Sequence, residues 1–176
     1  MNLPNKLTVA RMIAVPFFIA FFMLGMYVPA LVIFIAASFT DFLDGKIARA
    51  RNLVTNFGKI MDPLADKILV YSALCLFIET GNIEAWMLII ILAREFVVAG
   101  MRTVAASEGR VLAAGMSGKI KTVLQMIAVI LMLLSRCLPD ITMISTVAYA
   151  IFIASLVMTV YSGAEYVYKN RDVFSM

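Results

Sequence analysis

Four aspartates stand in two pairs within one short stretch: Asp41 and Asp44, three residues apart, then Asp62 and Asp66, four apart. On helices, either spacing puts the two carboxylates of a pair on one face. Two antiparallel helices would then bring both pairs together. Such a cluster repels itself or takes up protons unless cations neutralise it. Ligation by oxygen alone suits hard divalent ions such as Mg²⁺ or Mn²⁺. The chain has no histidine with which to build an imidazole site. Paired aspartates also occur on solvated helix faces of soluble proteins, but the segments around these are hydrocarbon-like. A carboxylate near lipid is costly enough to mark a functional site.

The chain that must position them has 176 residues, 63% of them hydrophobic, where a soluble domain would be roughly 45–50% apolar. This composition predicts a single-domain integral membrane protein over residues 1–176. Cys75 and Cys137 lie in apolar runs and suggest no disulfide framework. The apolar run after Arg11 is long and lacks a clear cleavage site, so it reads as a retained anchor and not as a signal peptide. No feature points to nucleic acid as a partner.

The expected fold class is an all-α membrane protein with six transmembrane helices. Residues 1–8 are partly amphipathic and are expected as a short N-terminal interfacial helix. The spans are expected over residues 7–26, with a kink at Pro16, then 29–50, 58–78, 85–105, 120–138 and 141–161. Each has about the 20 residues that a bilayer crossing needs. The tail after Tyr161 is polar and could extend the last helix. Six spans put both termini on one side. Of fifteen Lys and Arg, all but Arg136 then belong to the same side, which the positive-inside rule makes cytoplasmic. The expected location is the bacterial plasma (inner) membrane. Asp41 follows Pro29 by twelve residues, roughly 18 Å of helix. The hydrocarbon core is about 30 Å thick. The carboxylates would thus lie below the cytoplasmic headgroups, in a hydrated cavity that a lipid could enter sideways.

Read with its gaps, the stretch is Asp41-x2-Asp44-Gly45-x2-Ala48-Arg49-x8-Gly58-x3-Asp62-x3-Asp66. It resembles the signature of the CDP-alcohol phosphotransferase family at every fixed position, and the six-span layout resembles that family over the whole chain. The resemblance implies transfer of a phosphatidyl or similar group from a CDP-linked donor to an alcohol, with release of CMP. It implies two divalent cations, one held by Asp41, Asp44 and Asp62, the other by Asp41, Asp62 and Asp66. Asp66 would also be the catalytic proton acceptor. Gly45, Arg49, Thr55 and Gly58 would bind the CDP donor, with help from Asn5 and Thr8. A glycine lets a nucleotide approach the backbone, and an arginine one turn on can grip phosphate oxygens. A homodimer is implied as well.

The acceptor is approached through the basic residues near the ends of spans four and five: Arg94, Arg102, Arg110, Lys119 and Lys121. Such a group suits an acceptor that carries its own phosphate, although each residue alone also fits the positive-inside bias. Choline, ethanolamine or serine would not require it. The segment from Gly115 to Thr122 is no P-loop, since Ile120 follows Lys119 where Ser or Thr should stand. Its lysines can still meet a phosphate at the start of a helix. Residues 2–11, 93–102 and 118–122 resemble family members that join CDP-diacylglycerol to sn-glycerol 3-phosphate. The expected products are phosphatidylglycerol phosphate and CMP. Within the same chemistry, inositol phosphate or phosphatidylglycerol are alternative acceptors. From another class, the aspartates could line the path of a small divalent-cation transporter. Transporters often repeat their halves, and no second copy of the aspartate pattern occurs in this chain.

Overall fold

The structure is a computed structural model that describes the backbone of residues 3–50, 56–113 and 115–175; the side chains of residues 3, 4, 41–50, 56–60, 62, 63, 174 and 175 are outside that description. Among the described residues there are six α-helices and no strand: α1 (Leu3–Met23), α2 (Tyr27–Ala50), α3 (Asn56–Glu79), α4 (Ala85–Ser107), α5 (Met116–Cys137) and α6 (Thr142–Lys169), followed by a 3-10 turn, Arg171–Ser175. Helices satisfy every backbone polar group within one segment, as hydrocarbon surroundings demand. Among the described residues three stretches are long and apolar enough to cross a membrane: Asn5–Met23, Met116–Cys137 and Thr142–Lys169. A shorter apolar stretch spans Tyr27–Thr40.

The expected boundaries differ from the observed ones mainly at the ends. Residues 3–8 are not a separate interfacial helix but the first turns of α1. Pro4 is no obstacle there, because the first turn of a helix uses no internal N–H bond. The same helix continues through Pro16. At the other end, α6 runs on to Lys169, so the polar tail does extend the last helix.

The helices pack as two interlocking groups. α1 lies against α2 and α3, while α6 lies against α5 and α4. Contacts of α2 and α3 with α5, and of α3 with α4, join the groups. The core is apolar, and it is richest in aromatics at the end where α1 meets α2. Phe18 and Phe34 have centroids 5.7 Å apart, and Phe22 meets Phe77 edge-on at 5.8 Å. Gly25 makes the α1–α2 turn possible with φ +73°, a value that side-chain-bearing residues rarely adopt. At the same end Arg136 caps the bundle: it bonds the Asn82 side-chain oxygen and the Thr80 carbonyl, and lies 5.9 Å above the Tyr27 ring. Many large apolar side chains, among them Phe17, Phe39, Ile89, Phe96 and Val157, face outward, as a lipid-facing surface requires.

Candidate active site

The up-and-down course of the helices gathers the charged halves of all six at the end opposite Arg136. α2 carries Asp41 and Asp44 in its last turns, and α3 carries Asp62 and Asp66 in its first turns. α2 and α3 touch. The side chains of Asp41, Asp44, Asp62 and Arg49, the surroundings of Gly45 and Gly58, and Thr55 altogether lie outside the described residues. The donor set itself, carboxylates only, fits hard divalent cations. Asp66 is half-buried and faces a cavity of about 60 Å³ at the seam between the helix groups, with Lys67, Val70 and Tyr71 of α3, Glu95 of α4, and Lys121, Thr122, Gln125 and Met126 of α5.

Glu95 is the hub of this seam. Its carboxylate receives Lys121 Nζ at 2.8 Å, Lys67 Nζ at 3.0 Å and Arg94 Nη1 at 3.0 Å. One carboxylate thus ties three helices together and restrains three cations, leaving a net positive surplus. Lys121 is nearly completely buried, and a buried ammonium is stable only with such a partner. Nothing in the spacing within α4 shows that Lys67 and Lys121 arrive at Glu95 from other helices.

The surplus faces a second cavity of about 810 Å³ between α4, α5 and α6, which shares Lys67, Glu95 and Thr122 with the first. Arg94, Arg102, Lys119 and Lys169 line it, as do Gly115, Ser117 and Gly118 at the start of α5. The first amide groups of a helix favour anions, so backbone and side chains bias this cavity the same way. Arg102 is steadied by Tyr166, whose hydroxyl accepts from Nε at 3.1 Å. Glu165 accepts from Ser117 and pairs with Lys169 at the rim. Arg110, expected among the acceptor residues, is not in this lining; it pairs with Asp172 of the 3-10 turn.

Arg94 reaches the cavity through a slot made by two glycines. A Cβ on Gly163 of α6 would stand 2.9 Å from Arg94 Cγ, and one on Gly118 of α5 would stand 3.1 Å from Nη2. No contact between Cβ and carbon is that short at rest.

On the other side of the aspartate helices, Thr8 is fully buried and Asn5 partly so, both on α1. Arg11 is 2% exposed and donates from Nε to the Ala37 carbonyl at 3.2 Å, fixing α1 against α2 one turn before Asp41. A groove of about 230 Å³ runs between these helices, floored by Ala10, Ala14, Ala36 and Ala37 and ending at Arg11 and Thr40. It is apolar along its length and polar at the end near the aspartates.

Comparison with known proteins adds to this geometry. The family model for CDP-alcohol phosphatidyltransferases matches residues 1–161. A CDP-diacylglycerol–glycerol-3-phosphate 3-phosphatidyltransferase of Bacillus subtilis is 42% identical, over 97% of this chain and 96% of its own. The protein of that name from Rickettsia bellii is 36% identical, over 98% of this chain and 97% of its own. A probable phosphatidylglycerophosphate synthase of Mycobacterium tuberculosis is 36% identical, over 98% of this chain and 83% of its own.

Proposed function

Because the chain belongs to the CDP-alcohol phosphatidyltransferase family, we propose that it is a phosphatidylglycerophosphate synthase of phospholipid biosynthesis. It transfers the phosphatidyl group of CDP-diacylglycerol to sn-glycerol 3-phosphate. The observation that carries the choice of acceptor is the basic cavity of α4, α5 and α6, which joins the small cavity that Asp66 faces. An acceptor with its own phosphate fits both: the phosphate among Arg94, Arg102 and Lys119, the polyol end toward Asp66, with Lys121 beside it. A neutral or cationic alcohol would leave the basic wall without a counterpart.

The chemistry follows from those positions. The C1 hydroxyl of the acceptor gives its proton to the Asp66 carboxylate. Its oxygen bonds to the phosphorus that carries the diacylglycerol oxygen. The bond from that phosphorus to the bridging oxygen breaks, and CMP leaves with the electron pair. Arg94 and its neighbours hold the acceptor by charge-assisted bonds and so set the approach of the hydroxyl. Asp41, Asp44, Asp62 and Asp66 would hold two divalent cations, Mg²⁺ or Mn²⁺, which when bound offset the charge of the pyrophosphate. Gly45, Arg49, Thr55 and Gly58, with Asn5 and Thr8, are the proposed donor site. The alanine-floored α1–α2 groove offers an acyl chain a sideways route to it. The charge bias supports an active site open to the cytoplasm, and a homodimer belongs to the same family-based reading.

The test is CMP release by purified protein supplied with CDP-diacylglycerol and a panel of acceptors. Release with sn-glycerol 3-phosphate, and little with inositol phosphate or phosphatidylglycerol, is expected. Release that needs one of the others rejects the acceptor. Exhaustive chelation should stop turnover and added Mg²⁺ or Mn²⁺ restore it. Asp66→Asn should abolish turnover while CDP-diacylglycerol binding is largely kept.

A further inference from the structure

We propose that Gln125 is a specificity-determining residue that donates its side-chain amide N–H to the C2 hydroxyl of the glycerol phosphate acceptor. The proposal rests on the acceptor assigned above and deepens it.

Gln125 lies on α5 one turn beyond Lys121, in a run that is otherwise apolar from Val123 to Leu134. It is 4% exposed, and its Nε2 is fully buried without a hydrogen-bond partner among the described residues. An unpaired amide at that depth is costly, so its retention calls for a partner that arrives from outside the chain. The amide belongs to the wall of the small cavity that Asp66 also faces. The Tyr71 hydroxyl is the other neutral donor of that wall besides Thr122. Lys67 and Lys121 are held by Glu95, and the Thr122 hydroxyl donates to the Gly118 carbonyl at 3.1 Å.

The chemistry of the acceptor fits this wall. Its phosphate occupies the large basic cavity, and its carbon chain enters the small one through the shared border of Lys67, Glu95 and Thr122. The C1 hydroxyl must reach Asp66 to lose its proton. The C2 hydroxyl sits on the adjacent carbon and so stands within the same cavity, whose volume of about 60 Å³ exceeds what a single water-sized group needs. A donor buried in that wall reads whether the C2 oxygen is there. Sites built to bond a substrate hydroxyl reject analogues that lack it far more strongly than apolar pockets reject an extra methylene.

The experiment compares sn-glycerol 3-phosphate with 3-hydroxypropyl phosphate, which keeps the attacking hydroxyl and the phosphate but lacks the C2 hydroxyl. For the parent protein the ratio of kcat/KM for the two should be about tenfold or more. In Gln125→Met, which keeps the length and removes the donor, that ratio should fall toward one, mostly through loss with the natural acceptor. A parent ratio near one overturns the proposal without recourse to any variant. An unchanged ratio in Gln125→Met, with both acceptors slowed equally or neither slowed, assigns the amide to packing or to a resident water and overturns it too. If Gln125→Met does not fold, Gln125→Leu, which also removes the donor, must show the same fall. Failure of the parent protein to release CMP with either acceptor removes the acceptor assignment itself, and this inference with it.

Discussion

Gly163→Ala is the substitution that most directly tests the architecture of the acceptor cavity. The added Cβ would stand 2.9 Å from Arg94 Cγ, against roughly 3.5–4.0 Å for two carbons at rest. Arg94 must therefore give way by about half an ångström or more. It has little room to do so, because its Nη2 lies against Gly118 and its Nη1 is held by Glu95 at 3.0 Å. The guanidinium shifts or turns, and its bond to the acceptor phosphate is lost or lengthened. A hydrogen bond to a charged group is worth about 1.5–3 kcal/mol, which corresponds to about a 10- to 150-fold fall in kcat/KM for sn-glycerol 3-phosphate. The fold itself has less to lose, since alanine is the better helix former by about 1 kcal/mol.

The assay is CMP release with each substrate varied in turn, in the parent, Gly163→Ala, Arg94→Ala and the double variant. The KM for CDP-diacylglycerol should hardly move. In the Arg94→Ala background the glycine substitution should add almost nothing, because the side chain it displaces is gone. An acceptor kcat/KM unchanged in Gly163→Ala would refute the slot. So would a loss that persists in full when Arg94 is already alanine.

Lys119→Ala should raise the KM for sn-glycerol 3-phosphate about tenfold and leave the donor KM alone, whereas Arg110→Ala, outside the cavity lining, should change neither; steady-state kinetics of the two side by side check both. Arg110 holds the Asp172 carboxyl below its ordinary range. With a lowered pKa, any stability from that pair is present above the ordinary carboxylate range and lost as pH falls through the lowered value. A small melting difference between Arg110→Ala and the parent should therefore be seen at neutral pH and vanish in strong acid. Glu95→Gln removes the partner of the buried Lys121 and should cost about 3–5 kcal/mol, read as a clear drop in melting temperature in detergent; an unchanged melting point would count against the hub.

That α2 and α3 run through the two aspartate pairs was legible in the sequence, because the pairs flank apolar runs of helix length. The starts and ends of α2, α3 and α4 were legible for a similar reason: the hydrophobic runs are bounded by charges or by Gly-containing turns. The start of α1 was not, because the partly amphipathic residues 1–8 read as a helix of their own, whereas α1 runs unbroken from Leu3. The pairing of Arg110 with Asp172 was not legible, because a loop's direction after Gly109 depends on where the distant Asp172 stands. Glu95, the Gly118–Gly163 slot and Gln125 depend on which helix faces lie opposite one another, and no spacing within one segment carries that. The single local signal for Gln125 was a lone amide one turn beyond Lys121 in an apolar run.

Arg136, the exception to the charge bias, explains how the two ends of the bundle differ. At its end the Asn82 side chain, the Thr80 carbonyl and the Tyr27 ring surround one guanidinium, while Phe18, Phe22, Phe34 and Phe77 fill the space beneath. That end is closed by contacts between groups of the chain itself. At the opposite end Glu95 gathers Lys67, Arg94 and Lys121, and Asp66 faces the same cavity. In the proposed function a lipid-linked pyrophosphate would approach along the groove of α1 and α2, and a small phosphorylated alcohol along α4 to α6 toward Arg94, Arg102 and Lys119.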